Sequence, residues 1–173
     1  TQSSVKVSAQ IKLILSFDYY NNKELEVLLQ QRAQMLGWDV ENNVFPLIAR
    51  RSRGTPRLGL RLLESCRRTT RSQGDSVITV QHFYKTCELE SIDDLGLTAD
   101  ERKYLTILND HKDPVRLNIL SMRTGLHRKT VSDIIEPFLI RIGLITKSDK
   151  GRSLTDEGKD RLEKTNMTPS TIS

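Results

Sequence analysis

The sequence predicts a mainly α-helical protein in which a four-helix bundle precedes a winged helix, that is, a helix-turn-helix with a β-hairpin wing. Apolar residues recur at spacings of three and four between Lys23 and Glu90, which is typical of packed amphipathic helices. From Thr98 to Thr165 the pattern changes to helix, short strand, helix, helix and hairpin, the order of a winged helix. The predicted divisions are an N-terminal segment (1–22), the bundle (23–90), an acidic linker (91–97), the winged helix (98–165) and a disordered tail (166–173).

Start and stop signals delimit the helices of the bundle. Pro56 suits the first turn of a helix, because its fixed φ is helical and its missing N–H would have no partner there. Thr79 offers a hydroxyl that can cap the last helix, and Gly37 and Gly74 are helix stops. The segment 12–17 is either a buried strand or an extended approach to the bundle. The predicted helices cover about 23–36, 43–51, 56–74 and 80–89.

The helices of the second unit are delimited in the same way. Thr98 and Glu101 have the form of a capping box, in which hydroxyl and carboxylate each satisfy a free backbone amide. After a short extended run, Asn118 is predicted to cap the second helix, which Gly125 closes. Pro137 is predicted to kink or break the third helix, at about 127–142.

A β-hairpin and a short helix complete the winged helix. The strands are predicted at 144–147 and 152–154, on either side of a tight turn at 148–151. Thr155 is predicted to cap a last helix that ends near Glu163.

The chain of 173 residues carries a net charge of +5, and the basic residues are unevenly placed. Eight arginines and one acid, Glu64, lie between Arg50 and Arg71. Such a cluster either binds phosphates or forms a solvated face whose arginines serve a nucleotide site or a subunit interface. No apolar stretch is long enough to span a bilayer. Because Thr1 is not a methionine, we expect the sequence to be part of a longer chain.

No residue pattern points to catalysis within the chain itself. His82 and His111 lack partners at metal-ligand spacing, so no metal site is predicted. Cys66 and Cys87 have no framework spacing and are expected to be reduced thiols of a cytosolic protein. Met35 and Trp38 are expected to lie in the core or at an interface rather than to form a stacking site.

Two separated blocks resemble the C-terminal part of the RuvB family. The run from Arg50 to Arg57 (Arg-Arg-Ser-Arg-Gly-Thr-Pro-Arg), followed by Gly74-Asp-Ser-Val-Ile-Thr, is similar to the family's sensor-2 region. The run 133–140 (Asp-Ile-Ile-Glu-Pro-Phe-Leu-Ile), with Gly151-Arg152, is similar to its winged helix and wing. The resemblance extends from about Ile11 to Glu163.

The resemblance implies a ring-forming AAA+ ATPase that works with a RuvA-type protein to drive branch migration at four-way DNA junctions (Holliday junctions) in the cytoplasm. Such a motor has a P-loop core, a helical lid and a winged helix, and the four-helix bundle is then the AAA+ lid. Neither a Walker A nor a Walker B motif is present. ATP or ADP with Mg²⁺ is therefore expected in the full-length parent, and the isolated chain is expected to bind none and to be inactive.

The resemblance also assigns a nucleotide-facing set of residues. Arg57 would be sensor 2, reaching from the lid to the γ-phosphate, a role that suits the permanent charge and planar donors of a guanidinium. Pro56 and Tyr20 would pack near the adenine base. The structural alternatives are an exposed helix arginine and an ordinary interdomain aromatic residue.

Duplex DNA is the second expected ligand. The wing carries Lys147, Lys150 and Arg152, which suit the DNA backbone. The family has proline and arginine where this chain has Asp149 and Lys150, so the positive charge remains but an acid is added. Arg128 and Lys129 open the third helix and either meet phosphates or face solvent; the remaining alternative for the wing is a solvated charged turn.

Two other functions remain open at this point. An AAA+ replication-origin initiator also joins a lid to a winged helix, and would read base sequence through the third helix. A stand-alone winged-helix transcription regulator would bind a palindrome as a dimer, but would have no use for a sensor-2 block.

Overall fold

The computed structural model describes the backbone of residues 19–167 and the side chains of residues 19–164. The described chain is mainly helical with one two-stranded antiparallel sheet, which confirms the predicted fold class. The segment 12–17 lies outside the described residues. The elements are α1 (Asn22–Met35), α2 (Val44–Arg51), α3 (Pro56–Ser72), α4 (Val80–Leu89), α5 (Ala99–Asn109), α6 (Leu117–Thr124), α7 (Arg128–Thr130), a π-helical segment (Val131–Ile135), α8 (Glu136–Arg141), β1 (Ile145–Ser148), β2 (Gly151–Leu154) and α9 (Asp156–Met167).

Helices α1 to α4 enclose one apolar core. Capping boxes begin α1, at Asn21, and α4, at Thr79, as the hydroxyl at Thr79 predicted. Gly59 allows α3 to approach α2, because a Cβ there would lie 2.8 Å from the hydroxyl oxygen of Ser52. The core consists of Leu25, Leu29, Ala33, Val44, Phe45, Ile48, Ala49, Leu62, Leu63, Cys66, Ile78, Phe83 and Cys87.

The winged helix has a separate core. The predicted capping box at Thr98 and Glu101 is present, and Gly125 ends α6 with a left-handed φ of 80°. The expectation for Asn118 was wrong: α6 begins at Leu117, and the N-cap position, two residues before the predicted one, is held by Arg116 without a side-chain cap. The core consists of Leu97, Tyr104, Leu105, Ile107, Leu108, Val115, Leu120, Val131, Ile135, Leu139, Leu144, Ile145 and Leu162.

Pro137 interrupts the third helix of the unit as predicted. A proline has no N–H to donate and its ring crowds the carbonyl one turn back, and here a π-helical segment directly precedes α8. The strands β1 and β2 lie within one residue of their predicted limits, and Thr155 accepts a bond from the Gly158 N–H at the start of α9. Helix α9 continues to Met167 rather than ending near Glu163, and residues 168–173 lie outside the described part.

The acidic linker is folded against both units. The Asp93 carboxylate accepts the backbone N–H groups of Leu95 and Leu97, at 3.0 and 2.7 Å. The carbonyl of the same residue accepts a bond from the Arg51 Nε of α2, at 2.9 Å. Arg161 of α9 forms ion pairs with Asp93 and Asp94. These bonds attach the linker to α2 on one side and to α9 on the other.

Candidate functional site

A glycine turn brings the predicted nucleotide-facing residues together. The Tyr20 N–H donates to the Gly54 carbonyl, at 3.0 Å, and a Cβ on Gly54 would lie 2.7 Å from that of Tyr19. Because the φ of Gly54 is also +72°, only glycine fits this close approach without strain. Tyr20, which is 46% exposed, is thereby held against the turn that leads into Pro56 and Arg57.

Arg57 is the second residue of α3, directly after Pro56 at the first position. Its side chain is exposed and makes no hydrogen bond or ion pair with another described residue. An arginine in this state is free to meet an anion outside the chain. The role of Arg57 as sensor 2 stays a prediction.

Arg53, at the same turn, joins the two units. Its guanidinium donates to both carboxylate oxygens of Glu101 on α5, at 2.7 and 2.5 Å, and to the carbonyl of Gly96. It also lies over the ring of Phe138 on α8, 4.1 Å from the ring centre. The side chains of Arg53 and Glu101 are only 12% and 4% exposed. We call this set of contacts the Arg53 clamp.

A second arginine closes the clamp from the winged helix. Arg141 of α8 donates to the carbonyl of Arg53, at 2.6 Å, and its guanidinium lies over the ring of Tyr19. An open cleft of about 480 Å³ lies beside these contacts, between the start of α3 and the winged helix. Arg61 lines this cleft, whereas Arg57 is not among its lining residues.

The basic run between Arg50 and Arg71 therefore divides into two groups. Arg51 and Arg53 are engaged in the junction, and Arg67 donates to the Ser76 carbonyl at 2.6 Å and lies 6.0 Å from the ring centre of Trp38. Arg68 donates to the Ser65 hydroxyl and pairs with Glu90, at 3.7 Å. The arginines that have no such contact with described residues are Arg50, Arg57, Arg61 and Arg71. Trp38 packs on the bundle core, as expected, whereas Met35 is 79% exposed.

Arg152 does not lie where a DNA-contacting residue should. Its side chain is 11% exposed, and its Nε and Nη2 donate to the two carboxylate oxygens of Glu136, at 2.7 and 3.1 Å. Glu136 is itself 1% exposed and also accepts a bond from the Tyr104 hydroxyl, at 3.2 Å. Burial raises the pKa of Tyr104 far above its usual range, with the Glu136 charge adding to the shift. The expectation of a DNA contact from Arg152 is corrected: this arginine attaches the wing to α8.

The two lysines of the wing differ in their surroundings. Lys147 is half exposed, and its Nζ lies 3.6 Å from the buried Glu136 carboxylate, so part of its charge is compensated. Lys150, at the tip, is exposed and has no ion pair among the described residues. Asp149 beside it is exposed as well.

The start of the third helix presents cations to solvent. Arg128 and Lys129 are exposed in α7 and make no ion pair within the described chain. Ile134, on the following π-helical segment, is 67% exposed. A DNA contact from this surface stays a prediction.

No group of three metal-ligating side chains occurs among the described residues. His82 is occupied in the cap of α4: its Nδ1 accepts the Thr79 N–H at 3.1 Å, which leaves Nε2 to donate to Asp75 at 3.1 Å. Cys66 and Cys87 are free thiols, and both are buried. Burial raises their pKa values to about 12 and about 11. None of the described helices combines the length and the apolar character that crossing a membrane requires.

A helical bundle joined through its glycine turn to a winged helix, with an exposed arginine after Gly-Thr-Pro, is the architecture of the lid and DNA-binding units of an AAA+ protein. A RuvB AAA lid domain model matches residues 20–93, and a RuvB C-terminal winged helix domain model matches residues 94–163. The chain belongs to the RuvB family and corresponds to its C-terminal portion.

Individual relatives agree with this assignment. The Holliday junction branch migration complex subunit RuvB of Rubrobacter xylanophilus is 37% identical over 140 residues, which are 80% of this chain and 39% of that protein. The subunit from Thermotoga maritima is 32% identical over 162 residues, 92% of this chain and 48% of that protein. The solved structure of the Thermotoga maritima RuvB Holliday junction branch migration motor superposes with a TM-score of 0.76 at 33% identity, covering 85% of this chain and 50% of that one. The chain thus spans half or less of the length of these relatives.

Proposed function

We propose that the chain is the lid and DNA-binding part of an ATP-dependent motor that drives branch migration of Holliday junctions in recombination and repair. The observation that carries the proposal is the turn at residues 53–57, where an exposed Arg57 follows the buried Arg53 clamp. The same turn thus exposes the Arg57 guanidinium to solvent and binds the winged helix through Arg53. The relatives named for Holliday junction branch migration support the choice of substrate.

The wider parts of the proposal concern the parent protein. ATP or ADP with Mg²⁺ would bind a P-loop core, to which this chain supplies Arg57 as sensor 2, with Pro56 and Tyr20 near the base. An unpaired exposed arginine on the first turn of α3 suits a phosphate contact. A RuvA-type partner, a homo-oligomeric ring and a cytoplasmic location belong to the same proposal. We propose the domain boundaries of a lid (23–90), a linker (91–97) and a winged helix (98–165).

The nucleotide role of Arg57 is testable in a chimera that places the Thermotoga maritima RuvB core before Tyr20 of this chain. We expect Arg57→Ala to lower ATP turnover roughly 100-fold, the size of effect seen when one charge-stabilising donor is removed from a reacting group. Steady-state phosphate release measures the turnover. Arg50→Ala removes the same charge from an exposed residue of α2 and should leave the rate within twofold. Equal rates for the two variants would exclude the sensor-2 role.

The same assay without the core tests the expectation of inactivity. The chain alone should release phosphate no faster than buffer, because it has neither a Walker A nor a Walker B motif. ATP hydrolysis above the buffer rate would contradict the proposal that the nucleotide is held by another part of the parent protein.

The DNA role of the wing is testable on the chain as it stands. We expect weak binding to duplex DNA without preference for sequence, and binding that weakens as salt rises, since phosphate contacts release counterions. Lys150→Ala should reduce the affinity several-fold and the slope of log affinity against log salt by about 1. Fluorescence anisotropy of a labelled duplex at several salt concentrations measures both.

Lys23→Ala, which removes an exposed lysine from α1, is the matched control for that experiment and should change neither quantity. Affinity that is indifferent to salt would argue against phosphate contacts. Strong preference for one duplex sequence would instead favour the origin-initiator alternative.

A further inference from the structure

The wing presents fewer free cations than its sequence suggests. Arg152 is buried in its ion pair with Glu136, and Lys147 is partly compensated by the same carboxylate. Lys150 is therefore the one wing cation without an ion pair among the described residues, and Asp149 lies next to it in the chain. A wing with so little net charge would hold a DNA backbone weakly unless a neighbouring element contributes charge.

The chain preceding α6 forms such a neighbouring element. Val115 and Arg152 exchange both backbone hydrogen bonds, each at 2.8 Å, in an antiparallel bridge. Gly151 is in close contact with this segment, because a Cβ there would lie 2.6 Å from the Val115 carbonyl oxygen. The segment is thus joined to the free edge of β2 by a one-residue antiparallel bridge.

The bridge brings the chain around Arg116 close to the wing. It pairs Val115 with Arg152 alone; Arg116 follows Val115 on one segment, and Gly151, which comes after Lys150, precedes Arg152 on the other, so the backbone of Arg116 starts next to the end of the hairpin. Neighbouring residues of a strand face opposite sides, and here Val115 is buried whereas Arg116 is exposed.

The guanidinium of Arg116 has no polar partner in the part of the chain that the structure describes. It makes no hydrogen bond or ion pair with any described residue, including Asp113 and Asp149, the nearest acids along the two segments. Its position as N-cap of α6 requires only its backbone, since no side-chain cap is formed. An exposed arginine without a hydrogen bond or ion pair among the described residues suits the oxygens of a phosphate backbone.

We propose that Arg116 is a DNA phosphate-binding residue that forms, with Lys150, a two-cation edge at the tip of the wing. The proposal rests on the proposed DNA contact of the wing and extends it to a residue outside the hairpin. In this proposal Arg116 supplies the exposed positive charge that Arg152, which is buried, does not.

The test compares single variants of the full 173-residue chain in the duplex-DNA anisotropy assay. Arg116→Ala is expected to weaken binding about fivefold and to lower the salt slope by about 0.9, the value for one phosphate contact. Arg116→Lys should recover most of the affinity, and Arg116→Glu should weaken binding more than alanine does. Arg123→Ala is the matched control: it lies on the same helix, about 10 Å further along, and already pairs with Asp110.

We expect Arg116→Ala to fold like the unchanged chain, because the Arg116 side chain makes no hydrogen bond or ion pair with a described residue; equal urea midpoints for the two verify this. If Lys150→Ala weakens binding and Arg116→Ala matches Arg123→Ala, the inference is wrong and the DNA role of the wing stands. If both Arg116→Ala and Lys150→Ala weaken binding, the two-cation edge is supported. If the unchanged chain does not bind duplex DNA even at low salt, both the wing contact and the role of Arg116 are excluded.

Discussion

Replacing Glu136 by alanine should lower the free energy of unfolding of the winged helix by about 3–5 kcal/mol, the cost typical of breaking a buried ion pair on one side. The variant would leave Arg152, 11% exposed, without its carboxylate, and the Tyr104 hydroxyl without its acceptor. Desolvation of the unpaired guanidinium is the dominant part of the cost, because its charge cannot reach water without moving β2. Urea unfolding followed by circular dichroism measures the change.

Two further variants separate the charge from the packing. Glu136→Gln keeps the shape and an acceptor oxygen but removes the charge, so a smaller loss is expected. Glu157→Ala removes an exposed carboxylate from α9 and should change the free energy by less than about 0.5 kcal/mol. A Glu136→Ala variant as stable as Glu157→Ala would show that the Glu136–Arg152 pair does not hold the wing.

Replacing Arg53 by alanine should uncouple the bundle from the winged helix. Glu101, 4% exposed, would lose both bonds from the guanidinium, and Phe138 would lose the cation over its ring. We expect a loss of roughly 3 kcal/mol in the unfolding of the winged helix, because an almost buried carboxylate remains without a counter-ion. Arg53→Lys should recover only part of this, since an ammonium cannot bind both carboxylate oxygens in a planar fork.

A dynamic measurement separates coupling from stability. Backbone ¹⁵N relaxation gives a rotational correlation time for each unit, and the intact chain should give one common value for both. Arg53→Ala should give two shorter and different values, even under conditions where both units remain folded. Arg50→Ala, an exposed arginine of α2, is the control and should keep the common value. A common value in the Arg53→Ala variant would mean that the clamp does not hold the units together.

The coupling bears on the proposed motor. Arg53 and Arg57 belong to one short turn, so a displacement imposed on Arg57 by a nucleotide would also act on Arg53. Because Arg53 is held by α5 through Glu101 and by α8 through Phe138, the winged helix would follow. Under the proposed function, the clamp carries lid motion to the DNA-binding wing.

The helices and their ends could be predicted because their signals are local. The Thr98 and Glu101 capping box, the first-turn position of Pro56 and the helix stop at Gly125 each depend on residues within one turn. The break in the third helix could also be predicted locally, because Pro137 has no N–H to donate. The prediction that Asn118 caps α6 was wrong for a non-local reason. The extended segment ends at Val115, which is bridged to β2, and the helix begins at Leu117.

The exposure of the candidate site residues could be predicted only where it follows from local position. Arg57 and Lys150 are exposed, as residues on the first turn of a helix and at the tip of a hairpin often are. Arg152 is one strand residue from the same tip, and its sequence neighbourhood gave no sign that Glu136, on α8, would neutralise it. Nothing in the basic run distinguishes Arg53 from its neighbours, because its carboxylate partner, Glu101, is 48 residues away.

The sequence alone therefore decided the fold class, the caps, the break at Pro137 and the block that ends in Arg57, since these depend on interactions between residues close in the chain. Tertiary structure decided which cations remain available for a ligand. Arg53 and Arg152 are paired with buried carboxylates, and a backbone bridge holds Val115, the residue before Arg116, against β2. Whether an arginine binds within the protein or outside it depends on which acids the fold places within a few ångströms, and that distance is set by packing between elements far apart in sequence.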